Sequence, residues 1–312
     1  MLRLPGVLPL LLLPWLAWPW LAVAQDATSP ADDSPHHVRI VTVDSSVRLE
    51  VLDWGGEGRP LLFVGCYLSA HLFDDIAPKL RDQFRVYALT RRGVGASDHP
   101  AVGYDPARRA ADVLEVVDAL GMAKPLLVGN ACGGHILHTL GAEHPDRIGG
   151  LVYLDAAEDP TLRLSDYDFP PADRVNLDAF RGKPVPVRFP AAEQRRVDAE
   201  PIDPAIRKAI TEDHLVRPEY ARIKVPVLAV YRSTTLERSL RDFPPANERE
   251  REAVALAVAA RRTVLEKWQG DLRAGVPAAR IVEIPGANLY MFLSHEADVI
   301  REIRKFARDL PS

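Results

Sequence analysis

The strongest constraint on the fold is a glycine-rich turn between an apolar run and a helical segment. Residues 125–128 read Pro-Leu-Leu-Val, as in a buried strand, and residues 129–134 read Gly-Asn-Ala-Cys-Gly-Gly. From Gly133 onward the pattern is helical and ends before Pro145. In such a strand–turn–helix elbow, the strained turn lifts its central side chain out of the sheet and into a pocket. We therefore expect an elbow with the methyl group of Ala131 at its tip.

Short strand patterns alternate with helical patterns along most of the chain. Residues 38–43 and 47–52 alternate apolar and polar side chains, as a β-hairpin does. An N-cap and a first-turn proline at Asp105-Pro106 begin a helix that Gly121 closes. The remaining expected elements are strands at residues 61–64, 86–89, 148–154, 225–231 and 280–284, a helical stretch around residues 72–80, and a final helix burying Val299, Ile300, Ile303 and Phe306. This alternation predicts an α/β fold with a mostly parallel central sheet and helices on both faces.

Length and charge limit the classes of function. The 312 residues, 47% of them hydrophobic, are enough for one large α/β domain with an insertion. The net charge of −4 comes without a basic stripe, so we expect no nucleic-acid partner. We expect no cofactor and no metal, since the pair His36-His37 lacks further ligands.

The N-terminal residues have the composition of a secretory signal. Arg3 precedes an apolar tract over residues 8–23, and the small residues 22–24 fit a cleavage site. The alternative is an uncleaved membrane anchor, but two prolines interrupt the tract, which is shorter than the ~20 residues that a span needs. We expect residues 1–24 to be a signal peptide and residues 25–37 a solvated linker. The protein would then be exported, periplasmic or secreted, with no stable membrane span after cleavage.

The composition of the chain changes between residues 159 and 223, where prolines and charged residues are frequent. Long structureless loops are rare in compact domains, so we interpret this segment as an inserted cap over the carboxyl edge of the sheet. The core would then consist of residues 38–158 and 224–312.

Several motifs together resemble the α/β-hydrolase fold superfamily, and more narrowly its small bacterial esterase-like hydrolases. The resemblance covers about residues 47–310 and rests on four motifs: Arg-Gly-Val-Gly-Ala-Ser at 92–97, the elbow at 129–134, Leu-Val-Tyr-Leu-Asp-Ala at 151–156, and Ile-Pro-Gly-Ala-Asn at 284–288. It implies the α/β-hydrolase fold with a cap, and a site built for hydrolysis of carboxylic esters.

The resemblance also shows where this chain departs from the family. Such enzymes use a serine at the elbow, a histidine after the last strand, and an acid that orients the histidine. Here Ala131 stands at the nucleophile position and Leu289 at the histidine position. His295, six residues later, is an alternative base, although a histidine exposed at the start of a helix is the simpler interpretation.

Two residues are candidates for the acid that orients the histidine. In the family the acid usually follows the strand at 225–231; this chain has no aspartate at the expected step there, and Glu237 is the candidate. Asp155 ends the preceding strand, and strand ends at that edge point into the site, but it could equally cap a loop.

The chain has two cysteines, and both fall near the expected oxyanion hole. The resemblance assigns one amide of that hole to Cys132 and the other to Cys66 or its neighbour Tyr67. Two amides that share one oxygen lie within roughly 6 Å of each other, so a disulfide between the cysteines is one hypothesis and two buried thiols the other. A third possibility is Cys132 as replacement nucleophile, with His135 or His138 as its base.

Two functions follow from these observations. The first is an exported hydrolase-fold protein that has lost catalysis and keeps an apolar pocket for a small apolar or ester-like ligand. Tyr67, Leu68 and Tyr290 would line this pocket together with the substituted positions. The second is an active esterase-type hydrolase, seen as an engineered or non-standard variant.

Overall fold

The computed structural model describes residues 34–161, 203–212, 216–242, 244–245 and 247–311. The predicted signal peptide, most of the predicted linker and most of the predicted cap lie outside the described residues. Within those ranges, none of the helices combines the length and the hydropathy that a bilayer-spanning helix requires.

One eight-stranded sheet forms the centre of the described chain. Its strands are β1 (His37–Val43), β2 (Val47–Gly55), β3 (Arg59–Val64), β4 (Phe84–Leu89), β5 (Leu126–Asn130), β6 (Gly150–Leu154), β7 (Val227–Ser233) and β8 (Arg280–Pro285). The order is β1-β2-β4-β3-β5-β6-β7-β8, antiparallel at β1/β2 and β2/β4 and parallel elsewhere. The mostly parallel sheet confirms the predicted fold class, and it brings the carboxyl ends of β3, β5 and β6 to one edge.

Helices alternate with the strands along the described chain. They are α1 (Pro106–Ala119), α2 (Gly133–Glu143), α3 (Pro204–Glu212), α4 (Leu236–Asp242), α5 (Glu248–Gly275), α6 (Met291–Ser294) and α7 (Glu296–Arg308). The Asp105 side chain caps α1 by accepting a hydrogen bond from the Arg108 amide at 2.8 Å. The helical stretch expected around residues 72–80 is instead two short 3₁₀ turns, Ala70–Phe73 and Ala77–Leu80.

Helices cover both faces of the sheet, as predicted. Alternate strand residues point to opposite faces, so Leu62 and Leu127 belong to one hydrophobic cluster and Leu61 and Val128 to the other. The first cluster packs α1, α2 and α5 against the sheet, and the second packs the two 3₁₀ turns, α6 and α7. The two cores fix the sheet edge on which the site is built.

Candidate active site

The elbow forms between β5 and α2 with Ala131 at its tip. Ala131 has a φ of 47°, the left-handed conformation that only glycine adopts without strain. Its carbonyl accepts a hydrogen bond from the Gly134 amide at 2.9 Å, which closes the turn, and Cys132 is the N-cap of α2. The structure therefore retains the strained geometry of a nucleophile elbow around a side chain that cannot react.

Glycines allow the elbow to pack this tightly. A Cβ atom on Gly129 would lie 2.9 Å from a methyl carbon of Leu137. A Cβ on Gly133 would overlap the carbonyl oxygen of Val64 at the end of β3, and one on Gly134 would overlap that of Ala156. The start of α2 therefore lies directly against the ends of β3 and β6.

Asn130 connects the elbow to the loop that carries Leu289. Its buried side-chain amide donates to the carbonyl oxygens of Leu154 and Leu289, both at 3.0 Å. The backbone of position 289 is thus fixed beside the elbow by a residue that the sequence did not single out.

A cavity of about 340 Å³ opens above the elbow, and most of the predicted site residues line it. Its lining consists of Cys66, Tyr67, Ala131, Cys132, His135, Asp155, Glu158, Pro160, Arg232, Arg261 and Leu289. Two predicted pocket residues are absent from this lining: Leu68 and Tyr290 are buried in the hydrophobic cluster under α6 and α7. The lining also carries charged groups that the sequence-based expectation of an apolar pocket did not include.

Asp155 lies at the end of β6 and is held by two arginines. Its carboxylate accepts from Arg232 Nε at 2.5 Å and from Arg261 Nη2 at 2.8 Å. The carboxylate side chain is 3% exposed, whereas the arginines are 35% and 24% exposed. Asp155 therefore faces the cavity with both oxygens engaged by arginines, and its assignment as the acid stays a prediction.

The two histidines of α2 have different surroundings. His135 lines the cavity, and its Nε2 lies 3.5 Å from Oε1 of Glu158. His138, one turn further along, is buried against Tyr153, with 3.1 Å between its Nδ1 and the tyrosine hydroxyl. Burial, reinforced by the nearby His135, lowers the pKa of His138 to about 3. His138 is therefore a neutral core residue, and His135 is the histidine of the pair that lines the cavity.

The two other candidate groups lie elsewhere. His295 is the N-cap of α7, where its Nδ1 contacts the Ser294 hydroxyl at 3.1 Å. Glu237 is exposed in the first turn of α4. Neither residue lines the cavity, so the structure does not support His295 as the base or Glu237 as the acid.

Cys66 and Cys132 are joined by a disulfide, with 4.9 Å between their Cα atoms. This confirms the pairing hypothesis over two buried thiols. Both sulfur atoms are used in the bond, so Cys132 is not available as a nucleophile in this form. The assignment of the two amides to an oxyanion hole stays a prediction.

Sequence reasoning missed Glu158, Arg232 and Arg261. Arg232 had a signal, because it directly follows the predicted strand at 225–231 and strand ends line this edge. Arg261 had none, since it reaches Asp155 from the middle of α5. Across the described residues, no group of three or more histidine, cysteine or acidic side chains is placed to hold a metal ion.

A model of the alpha/beta hydrolase family matches residues 58–302. The chain therefore belongs to the alpha/beta hydrolase family.

Characterised relatives match only part of their own length. A 2-(acetamidomethylene)succinate hydrolase from Mesorhizobium japonicum is 29% identical over 126 residues, which are 40% of this chain and 45% of that protein. A soluble epoxide hydrolase from a Corynebacterium species is 30% identical over 128 residues, 41% of this chain and 45% of that enzyme. The chain thus spans about half the length of the curated relatives it matches.

Solved structures agree in fold over nearly the whole chain. An E-2-(acetamidomethylene)succinate hydrolase superposes with a TM-score of 0.60 and 20% identity, covering 88% of this chain and 99% of that one. An esterase from Exiguobacterium antarcticum gives a TM-score of 0.64 and 14% identity, with coverages of 88% and 100%. At such identities these likenesses show the fold alone.

Proposed function

We propose that this chain is an exported member of the family, descended from an esterase-like serine hydrolase, that hydrolyses esters at most in traces and keeps a small-molecule pocket. The proposal rests on one observation. The elbow has the strained backbone and the hydrogen-bonded turn of a nucleophile elbow, yet the residue at its tip is Ala131. A methyl group neither attacks a carbonyl nor responds to a base. Leu289, held beside it through Asn130, supplies no base.

The cavity supports a ligand of limited size with polar groups. Tyr67, Leu289 and the disulfide form an apolar part, and the Asp155–arginine pairs form a charged part. A small ester-like molecule with an apolar body and a polar end matches both parts.

The first experiment compares hydrolysis of a short-chain aryl ester by the mature chain and by the Ala131→Ser/Leu289→His variant. We expect no turnover above background for the chain as it is and measurable turnover for the double variant. The two single variants are the matched controls, because a serine without a base and a base without a serine should both stay silent. Turnover by the unmodified chain would contradict the proposal.

Labelling with an alkyl fluorophosphonate distinguishes a variant whose serine is not activated from one that hydrolyses esters slowly. The double variant should be labelled at residue 131, and the Ala131→Ser variant should be labelled far more slowly. If neither is labelled, the site has lost more than its two reacting groups, and the engagement of Asp155 by the two arginines is the first cause to examine.

The second candidate is an active hydrolase that uses non-standard groups, and one observation favours it. His135 and Glu158 face the cavity as a pair of possible base and acid, 3.5 Å apart. Any turnover that the unmodified chain shows should then disappear in His135→Gln and survive in His295→Gln.

Export is tested by the N-terminus of the protein recovered outside the cytoplasm of a producing bacterium. We expect it to begin near Gln25. A chain that keeps residues 1–24 would contradict cleavage.

A further inference from the structure

The disulfide between Cys66 and Cys132 lies at the floor of the cavity. Both cysteines are almost fully buried, at 4% and 6% exposure, yet both line the cavity of about 340 Å³. The two cysteines thus form part of the cavity wall, and they also belong to a small buried cluster with Tyr104 and Ile210.

A buried cation lies behind the bond. Arg91, two residues after β4, is 3% exposed, and its Nη2 lies 4.0 Å from Sγ of Cys132. Its Nε and Nη1 have no hydrogen-bond partner among the described residues. Burial lowers the pKa of Arg91 to about 10, so the side chain is still a cation at neutral pH. The disulfide offers this cation only a neutral sulfur.

The other charged groups near the bond have partners of their own. Asp112, whose negative charge also acts on Arg91, accepts hydrogen bonds from Arg92 and Arg108. On the cavity side, Asp155 is held by its two arginines and Glu158 lies beside His135. Arg91 is thus a cation beside the disulfide that forms no ion pair with a carboxylate among the described residues.

Reduction would supply the missing negative charge. A thiolate on Cys132 would lie beside Arg91 and at the N-cap of α2, an eleven-residue helix whose dipole favours an anion at that end. Both interactions stabilise the reduced form and leave the disulfide unchanged, which makes the bond easier to reduce. Cys66 has no such helix, so Cys132 is the better leaving group and Cys66 the sulfur that is attacked.

We propose that the Cys66–Cys132 pair is a redox-active disulfide that exchanges with small thiols entering the cavity, an activity separate from ester hydrolysis. In the first step a substrate thiolate attacks Sγ of Cys66. The bond between the two protein sulfurs breaks, and its electron pair leaves on Cys132 as the thiolate beside Arg91. A second substrate thiolate then attacks the substrate sulfur of the mixed disulfide, and Cys66 leaves and takes a proton. Two thiols are oxidised to one disulfide, and the protein disulfide is reduced by two electrons.

The test equilibrates the native, mature chain with mixtures of reduced and oxidised glutathione and counts alkylated cysteines by mass. We expect native reduction, together with an equilibrium that Arg91→Met shifts at least tenfold toward the disulfide, about 30 mV for this two-electron couple. Arg91→Lys keeps the charge and should remain near the wild-type equilibrium. A disulfide that is reduced only when the protein unfolds, or an Arg91→Met equilibrium equal to wild type, would overturn the proposal.

If Arg91→Met fails to fold, a measurement on the wild-type protein tests the proposal instead. The reduced protein is treated briefly with iodoacetamide at mildly acidic pH, and the two cysteine peptides are quantified. We expect Cys132 to be alkylated at least ten times faster than Cys66. Equal rates would overturn the proposal. Neither readout involves ester hydrolysis, so this proposal and the proposed function succeed or fail independently.

Discussion

His138 should make the stability of this protein depend on pH in a window set by its surroundings. The side chain is 7% exposed, and its ring lies 5.2 Å from that of Tyr153 and 5.0 Å from that of Tyr220. Burial, with a further contribution from His135, lowers its pKa from 6.5 to about 3. The folded protein therefore keeps this histidine neutral under conditions where the unfolded chain protonates it.

The sign and size of the effect follow from this difference in pKa. Between the unfolded value of 6.5 and the folded value of about 3, the unfolded state binds more protons, so stability falls as the pH falls. Lowering the pH from about 7 to about 5 should reduce the free energy of unfolding by about 2 kcal/mol through His138 alone. That is a large share of the stability of a typical domain.

Urea unfolding followed by tryptophan fluorescence at the two pH values measures the effect. His138→Phe keeps an aromatic ring and removes the titration, so its loss of stability on acidification should be about 2 kcal/mol smaller than that of the wild type. Tyr153→Phe removes the hydroxyl but leaves the buried histidine, and should keep the wild-type pH dependence. An equal loss of stability on acidification in His138→Phe and in the wild type would refute the assignment of this pH dependence to His138.

Two further predictions concern the elbow. Ala131→Gly should stabilise the protein by about 1 kcal/mol, because glycine adopts the φ of 47° without the strain that a Cβ imposes there. Ala157→Gly, at a residue without a positive φ, should instead destabilise it, and a lower urea midpoint for Ala131→Gly would contradict the strain argument. Gly133→Ala should cost at least about 2 kcal/mol, because the new Cβ meets the backbone carbonyl of Val64, which cannot turn away as a side chain could. Thermal melts would show this loss, and an unchanged melting temperature would mean that α2 shifts to make room.

Local sequence predicted the parts of the site that depend on local geometry. The elbow is fixed by an apolar run, a glycine-rich turn and a helix that follow one another, so its conformation could be predicted from a dozen residues. The pairing of Cys66 with Cys132 could be proposed because the family fold places the turn after β3 next to the elbow.

Other parts of the site depend on packing between distant segments. Arg261 lies 106 positions from Asp155 in the sequence, and nothing near either residue indicates the contact. Leu68 and Tyr290 are neighbours of cavity residues along the chain, but their side chains turn into the core. The direction of a side chain in an irregular loop is decided by what packs around it, which one sequence does not reveal.

The disulfide also closes a ring in the covalent chain. Its two ends are 66 positions apart, and the enclosed segment contains β4, α1 and β5. An unfoldase pulls a polypeptide chain through a narrow pore. At this ring two segments of the chain would have to enter the pore together. The part of the protein that holds the elbow would resist threading until the bond was reduced.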